Sequence, residues 1–294
     1  MAMDIRVLRY YLAICREGNM SRAAQVLHVT QPTLSRQIAD LERELGCELL
    51  IRGSRTVTPT EKGLYLRRRA EEIVALADQT ASDLARGDEA VEGDVFIGAG
   101  ESEGMRIVAS RIRAFRERYP QVRFHLRSGN SIDVIEWLER GLVDFAVLIA
   151  FPDVNRFAHV RLHPTDTWGV LMPAGHPLAQ KEAVGPRDLA DLPLIVSGQA
   201  LETGELSQWF GDLHDRLAVV ATYNLAFNAA QLVREGVGCA LALDKLVATG
   251  EGTGFEFRPI YPPVVSTIDF VWKPDRVQSN AAKAFLGEMK RASE

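Results

Sequence analysis

The sequence predicts a multidomain α/β protein: an N-terminal winged helix-turn-helix, a long linker helix, and two tandem Rossmann-like α/β lobes with a cleft between them. Three observations predict it. Residues 18–41, GNMSRAAQVLHVTQPTLSRQIADL, carry two short helical patterns around a turn, and a short hairpin pattern follows. A helical pattern then runs over residues 61–87, and from residue 95 strands and helices alternate in a rhythm that restarts near residue 168. The expected division is a head at 1–60, a linker helix at 61–87 and a body at 88–294. Within the body, lobe I spans about 95–165 plus 267–294, and lobe II about 166–266.

In the head, Leu8, Tyr11, Leu12 and Cys15 stand at helical spacing over residues 5–17, and Gly18 ends that helix. Ala23, Ala24 and Leu27 give the next helix its contacts, His28-Val29-Thr30 form the turn, and Thr30 is an N-cap for the third helix. Pro32 falls in the first turn of that helix, where a missing N–H costs little. At about 100° per residue, Leu34, Ile38, Leu41 and Leu45 share one arc, while Gln31, Pro32, Ser35, Arg36 and Ala39 occupy another. Gln, Ser and Arg near a helix N-terminus suit the major groove, where Arg forks onto guanine and Gln onto adenine. An ordinary solvated helix face would carry the same residue types. Residues 49–60, LLIRGSRTVTPT, read as two short strands whose tip is flanked by Arg52 and Arg55. That is a wing able to reach phosphate or the minor groove.

Charge supports this polarity. The net charge is −5, yet residues 1–69 hold 12 Lys and Arg against 7 Asp and Glu, while the remainder holds 22 against 32. A basic end on an acidic body fits a DNA-binding head. The long helix sets Leu66, Ala70, Ile73, Ala77, Thr80 and Leu84 four and three residues apart, an a/d seam for a dimer; the alternative is packing on its own domain. Arg67, Arg68 and Arg69 are either phosphate contacts or a solvated charge run. Three scattered cysteines (Cys15, Cys47, Cys239) indicate a reducing compartment and neither a disulfide framework nor a metal site. With no signal peptide pattern and no apolar run near ~18 residues, a cytoplasmic location is expected.

Residues 4–63 resemble the winged helix-turn-helix of LysR-type transcriptional regulators. The resemblance is carried by Leu8-Arg9-Tyr10-Tyr11, Ala23-Ala24, Gln31-Pro32-Thr33-Leu34-Ser35, Leu41-Glu42, Leu45-Gly46, Leu49-Leu50-Ile51-Arg52 and Thr60-Glu61-Lys62-Gly63. Leu50 stands where the family usually has Phe. The resemblance implies that Gln31, Pro32, Thr33, Ser35 and Arg36 contact DNA, with Arg52 and Arg55 as wing contacts. The body is similar to the family's effector-binding domain through Phe115-x3-Tyr119-Pro120, Leu138-x2-Gly141-x2-Asp144, Pro173-x-Gly175-His176-Pro177-Leu178 and Leu232-Val233-x2-Gly236-Val237-Gly238. It departs at Leu243-Asp244, where Pro usually follows the strand. The resemblance implies a sequence-specific regulator of transcription, a homodimer and by further association a homotetramer, whose partners are a double-stranded DNA operator and a small-molecule effector. RNA polymerase is a further candidate partner, and no membrane, metal or cofactor is expected.

Enzyme readings are weaker. Gly98-x-Gly100-x3-Gly104 follows a strand, but its spacing is one residue too long for a dinucleotide fingerprint, and Glu101 and Glu103 would repel a pyrophosphate. His159 and His163 lie in an extended segment with no completing ligand. No catalytic residue is assigned. A solute-binding receptor or metabolic enzyme with a DNA-binding appendage remains the alternative.

An effector should meet strand ends and helix starts lining the cleft. From lobe I these are Gly100, Glu101 and Ser102, then Ser128, Asn130, Ser131 and Ile149; from lobe II, Ser197, Asn224 and Phe227. Many relatives place Ser or Thr where Gly100 stands, so Ser102 is the expected substitute. Glu101 and Glu103 beside it either point to solvent at a helix start, where they are electrostatically comfortable, or favour a neutral, hydroxylated or cationic effector over a simple dicarboxylate.

Overall fold

Asp4 starts the first helix, α1 (Ile5–Glu17), by accepting a hydrogen bond from the Arg6 N–H at 2.8 Å. Gly18 ends it at φ 60°, a left-handed C-cap whose N–H returns to the Ile14 carbonyl. Asn19 caps α2 (Met20–Val26), and Thr30 caps α3 (Gln31–Leu45), with Pro32 in the first turn. Their buried faces meet: Leu8, Tyr11, Ile14, Ala23, Leu34 and Ile38 are fully enclosed. Leu45 differs from its expected place on this arc. It is exposed, because the last turn of α3 runs past the end of the small core. Strands β1 (Leu50–Arg52) and β2 (Val57–Pro59) pair antiparallel, and α4 (Glu61–Ala85) follows. The computed structural model describes residues 3–53, 56–85, 90–202 and 205–291, in two compact units, Met1–Gly87 and Asp88–Glu294. Arg55, the side chain of Leu84 and the Gly87 helix stop lie outside the described residues.

Thr60 starts α4 by accepting from the Gly63 N–H at 3.0 Å, and α4 packs along α1. This packing divides the predicted seam. Leu66 (7 % exposed) and Ala70 (0 %) are buried in the head's own core beneath α1. Ile73 and Leu76, each 39 % exposed, and Tyr65 form an adjoining apolar stripe; Ala77 is half-buried and Thr80 is exposed. Helical spacing identifies an apolar face but does not say which surface covers it. Arg67 pairs with Glu71 at 3.1 Å and Arg69 with Glu72 at 3.0 Å.

The second unit is built on one strand order: β4 (Val122–Ser128), β3 (Gly93–Ala99), β5 (Phe145–Ile149), β11 (Val265–Trp272), β6 (Ala158–Pro173), β9 (Cys239–Leu243), β7 (Leu194–Ser197), β8 (Val219–Tyr223), with β10 (Phe255–Pro259) added to β6. β3 runs parallel to β4 and β5, and β7 runs parallel to β8 and β9, so each lobe has the parallel core that alternation predicts. The helices are α5 (Met105–Arg118), α6 (Ser131–Arg140), α7 (Pro186–Leu189), α8 (Gly198–Glu202), α9 (Glu205–Phe210), α10 (Ala226–Arg234) and α11 (Asn280–Arg291).

Two strands cross between the lobes. β6 begins at Ala158, ten residues ahead of the start expected near Trp168. Its first half pairs antiparallel with β11 and its second half with β9 and β10. β11 pairs with β5 as well, and its register on β6 shifts between Ser266 and Ile268. Lobe I packs Val95, Ile97, Phe115, Phe145, Phe270 and Phe285; lobe II packs Trp168, Val170, Leu194, Val196, Leu241 and Ile260. The glycines of the near-fingerprint serve this packing: a Cβ at Gly104 would stand 2.6 Å from Ile268 Cδ1, and one at Gly98 3.1 Å from Val134 Cγ1. Among the described residues, no helix is long and apolar enough to cross a membrane.

Candidate recognition face and interlobe cleft

Burying Leu34, Ile38 and Leu41 turns the opposite side of α3 outward. Gln31, Pro32, Thr33 and Arg36 are exposed and Ser35 is half-buried. The Thr33 hydroxyl lies 2.8 Å from that of Thr30, so it takes part in the cap. Arg52 is engaged within the head: its guanidinium pairs with Glu42 at 3.0 Å and reaches the Ser35 hydroxyl at 3.5 Å. The other oxygen of Glu42 accepts from the Leu49 and Leu50 N–H groups at 2.8 and 3.1 Å. Glu42 thus fastens the first wing strand to α3, and Arg52 completes the fastening. Burial pushes the Cys15 and Cys239 thiols up, away from the reactive thiolate.

In the second unit, a cavity of about 80 Å³ lies between the lobes. Lobe I lines it with Gly100, Glu101, Gly129, Asn130, Ser131, Ile149 and Ala150. Lobe II and the crossing strands supply Trp168, Ser197, Gln199, Ala200, Glu205, Tyr223, Asn224, Ala226, Leu243, Leu246 and Ser266. Two contacts bridge it. The Ser131 N–H, at the start of α6, donates to Gln199 Oε1 at 2.8 Å, and Gln199 Nε2 donates to Ser131 Oγ at 2.9 Å. The start of α10 is uncapped by its own Leu225, and there the Ala226 N–H donates to the Glu101 carboxylate. Each lobe therefore satisfies a helix-start donor of the other.

Of the residues expected at the cleft, Gly100, Glu101, Asn130, Ser131, Ile149, Ser197 and Asn224 lie on this cavity. Ser102 does not. It is buried, its hydroxyl accepts from the Gly104 N–H at 2.9 Å, and it bonds Asp166, so it is no substitute for a hydroxyl at Gly100. A Cβ at Gly100 would stand 2.9 Å from Ile149 Cδ1, so a larger residue there requires the tip of Ile149 to shift. Ser128, with Ser102, Leu126 and Arg127, lines an adjoining hollow that shares Gly100, Glu101 and Leu246 with the cavity. Phe227 is 69 % exposed, one residue beyond the lining Ala226, because α10 turns it outward.

Sequence reasoning missed Trp168, Glu205, Tyr223 and Ser266. Trp168 Nε1 donates to Ser266 Oγ at 2.9 Å, and Ser266 Oγ donates to Glu205 Oε2 at 2.6 Å. Tyr223 donates its hydroxyl to the Leu241 carbonyl at 2.7 Å; burial, with the Glu101 charge, pushes its phenol up and keeps it neutral. An exposed-looking Glu, a mid-strand Ser and a Trp give no local sign of this chain.

Asp166, on β6 opposite Ser266, is buried and its Oδ2 has no hydrogen-bond partner. Burial pushes its carboxyl up, against the opposing hydrogen bond from Ser102. An acid whose folded-state pKa is raised destabilises the fold as pH climbs through the ordinary carboxylate range near 3.9, up to its folded value. Asp166→Asn should remove that loss. We expect a gain of about 1–3 kcal/mol above this range and no gain below it, read from urea midpoints across pH.

Known proteins agree with this architecture. Residues 5–64 match the family model described as bacterial regulatory helix-turn-helix protein, lysR family, and residues 88–294 match the LysR substrate binding domain. A probable RuBisCO transcriptional regulator of Porphyra purpurea is 33 % identical over 296 residues, covering 96 % of this chain and 92 % of the relative. The uncharacterized HTH-type transcriptional regulator YnfL of Escherichia coli (strain K12) is 28 % identical over 302 residues, covering 97 % of each. In fold, the chain is similar to CbnR, a LysR family transcriptional regulator, with a TM-score of 0.74 at 19 % identity, covering 99 % of this chain and 100 % of that one. Full-length CbnR in complex with its target DNA gives 0.71 at 21 %, with the same coverage. With both family models matched in order and a body model spanning well over half its length, this chain belongs to the LysR family: it is a DNA-binding transcriptional regulator with that family's substrate-binding domain.

Proposed function

We propose that a small-molecule effector bound in the interlobe cleft controls how this regulator engages its operator, and that the protein works in the cytoplasm as a homodimer that associates further into a homotetramer. The observation that carries the effector reading is the pair of cross-cleft contacts, Ser131 with Gln199 and Glu101 with Ala226, around a shared cavity. A ligand able to compete for those groups, or to add to them, binds open and closed lobes differently. That difference is what shifts a two-state element. The reading is tested by a thermal-shift screen of metabolites followed by operator mobility shifts. A true effector at 100 times its dissociation constant stabilises by about 2.7 kcal/mol. It must also change operator affinity or footprint, and a ligand that stabilises without doing so would overturn the regulatory reading.

For DNA reading, α3 offers Gln31, Pro32, Thr33, Ser35 and Arg36, with Arg52 at the wing. Arg36→Ala should cost ~1–3 kcal/mol of specific affinity and relax base preference at one position. Unchanged operator affinity in a mobility-shift titration would remove Arg36 from the reading face. Self-association is supported by the exposed stripe of Tyr65, Ile73 and Leu76 on α4. At the outer edges of the sheet, Leu126 on β4 and Val220 on β8 are exposed as well. Ile73→Asp would place a charge in a desolvated seam at a cost of several kcal/mol. Light scattering should then show a smaller assembly, and an unchanged mass would exclude this stripe as the interface.

A further inference from the structure

We infer that the effector carries a protonated amine, and that Glu205 with Glu101 recognises it; this rests on the cleft being the effector site. Both carboxylates line the cavity, and among the described residues its lining holds no Lys or Arg. Lys245, beside the lining Leu243 and Leu246, acts on the charge of Asp166, whose carboxyl is not part of the wall. The cavity wall itself therefore presents negative charge, and Arg127 lines the adjoining hollow that shares Gly100, Glu101 and Leu246 with it.

Glu205 is built to present that charge. It stands at the first position of α9, and the fully buried Ser266 hydroxyl donates to its Oε2, itself fixed by the Trp168 indole N–H. A carboxylate accepts at about four lone-pair positions, so a single donor from Ser266 leaves capacity for a ligand. Glu101 is likewise held by one backbone donor, Ala226 N–H. Two aromatic side chains, Trp168 and Tyr223, also line the cavity, and aromatic faces attract ammonium groups. Around these stand Asn130, Ser197 and Asn224, which suit the polar remainder of such a molecule. A metal ion fits less well, since no group of three or more His, Cys, Asp and Glu among the described residues could hold one.

An anionic ligand meets the opposite situation. The helix-start donors that would bind a carboxylate, Ser131 N–H and Ala226 N–H, are already taken by Gln199 and Glu101. A dicarboxylate would have to displace Glu101 and then sit beside it and Glu205. The side chains that close the cleft thus also exclude anions from it.

The test is calorimetry on the full chain with matched four-carbon probes: putrescine, 4-aminobutyrate, succinate and 1,4-butanediol, with agmatine and lysine as larger amines. At least one amine should bind more tightly than succinate and the diol, and Glu205→Gln should weaken it by about tenfold or more while retaining the acceptor for Ser266. Glu101→Gln provides a second variant, and the wild-type ranking of probes stands without either. Succinate or the diol binding as tightly as the amines would overturn the inference and leave the cleft intact as an effector site. An amine whose affinity survives both substitutions would overturn it too. Failure of every probe, joined by a negative metabolite screen, would overturn the effector reading along with it.

Discussion

Gly63→Ala should abolish operator binding by unfolding the head while the second unit keeps its fold. A Cβ at Gly63 would stand 2.1 Å from the Leu49 carbonyl oxygen and 2.7 Å from the Tyr11 hydroxyl. Neither can easily retreat. The Leu49 carbonyl accepts from the Thr60 N–H at 2.9 Å, which ties the wing to the start of α4, and the Tyr11 hydroxyl donates to Gly63's own carbonyl at 2.8 Å. Tyr11 is fully buried, so separating α1 from α4 takes its hydroxyl off the Gly63 carbonyl. Overpacking costs ~1–3 kcal/mol and sometimes more, and the lost buried hydrogen bond adds about 0.5–1.5 kcal/mol. Against a total of ~5–15 kcal/mol for a small domain, that leaves the head marginal or unfolded. Gly46→Ala is the control: it has no atom within 4 Å and pays only for its left-handed φ of 65°, roughly 1–2 kcal/mol. Helix content, proteolysis of residues 1–87 and a mobility shift should separate the two. Equal operator affinity for Gly63→Ala and wild type would show that α4 shifts to admit the methyl group.

Phe285→Ala should cost ~3–5 kcal/mol in the second unit. Phe285 is fully buried on α11 at the centre of a ring cluster, 4.8 Å from Phe124 and 5.4 Å from Phe115 by ring centroids, with Phe145 and Phe270 at 6.0 and 6.2 Å. Those rings come from α5 and from β4, β5 and β11, so one truncation opens a void shared by α5, α11 and three strands of lobe I. Because β11 and β5 also support the Gly100, Ile149 and Ser266 side of the cleft, ligand binding should weaken with stability. Urea unfolding of the body should show the lower midpoint, and a loss below ~1 kcal/mol would mean that α11 collapses onto the vacancy.

Local chemistry made much of the protein legible in the sequence. Thr30, Pro32, Gly18 and the Leu34–Ile38–Leu41 arc fixed α1 to α3 and turned Gln31 and Arg36 outward, since caps and helical periodicity act within a few residues. Strand–helix alternation likewise predicted the parallel core of each lobe, and strand ends placed Glu101, Asn130, Ser131, Ser197 and Asn224 at the cleft. Tertiary structure alone decided the rest. Glu101 and Ser102 are neighbours in sequence, yet one faces the cavity and the other turns inward to Gly104 and Asp166. Leu66 and Ile73 share a spacing pattern, yet α1 covers the first and leaves the second exposed. Glu205, Ser266 and Trp168 meet only because β6 and β11 cross between lobes, joining side chains 61 and 98 residues apart. Sequence pattern reports the direction in which a side chain leaves its own element; what waits there is set by chain crossings that no local signal records.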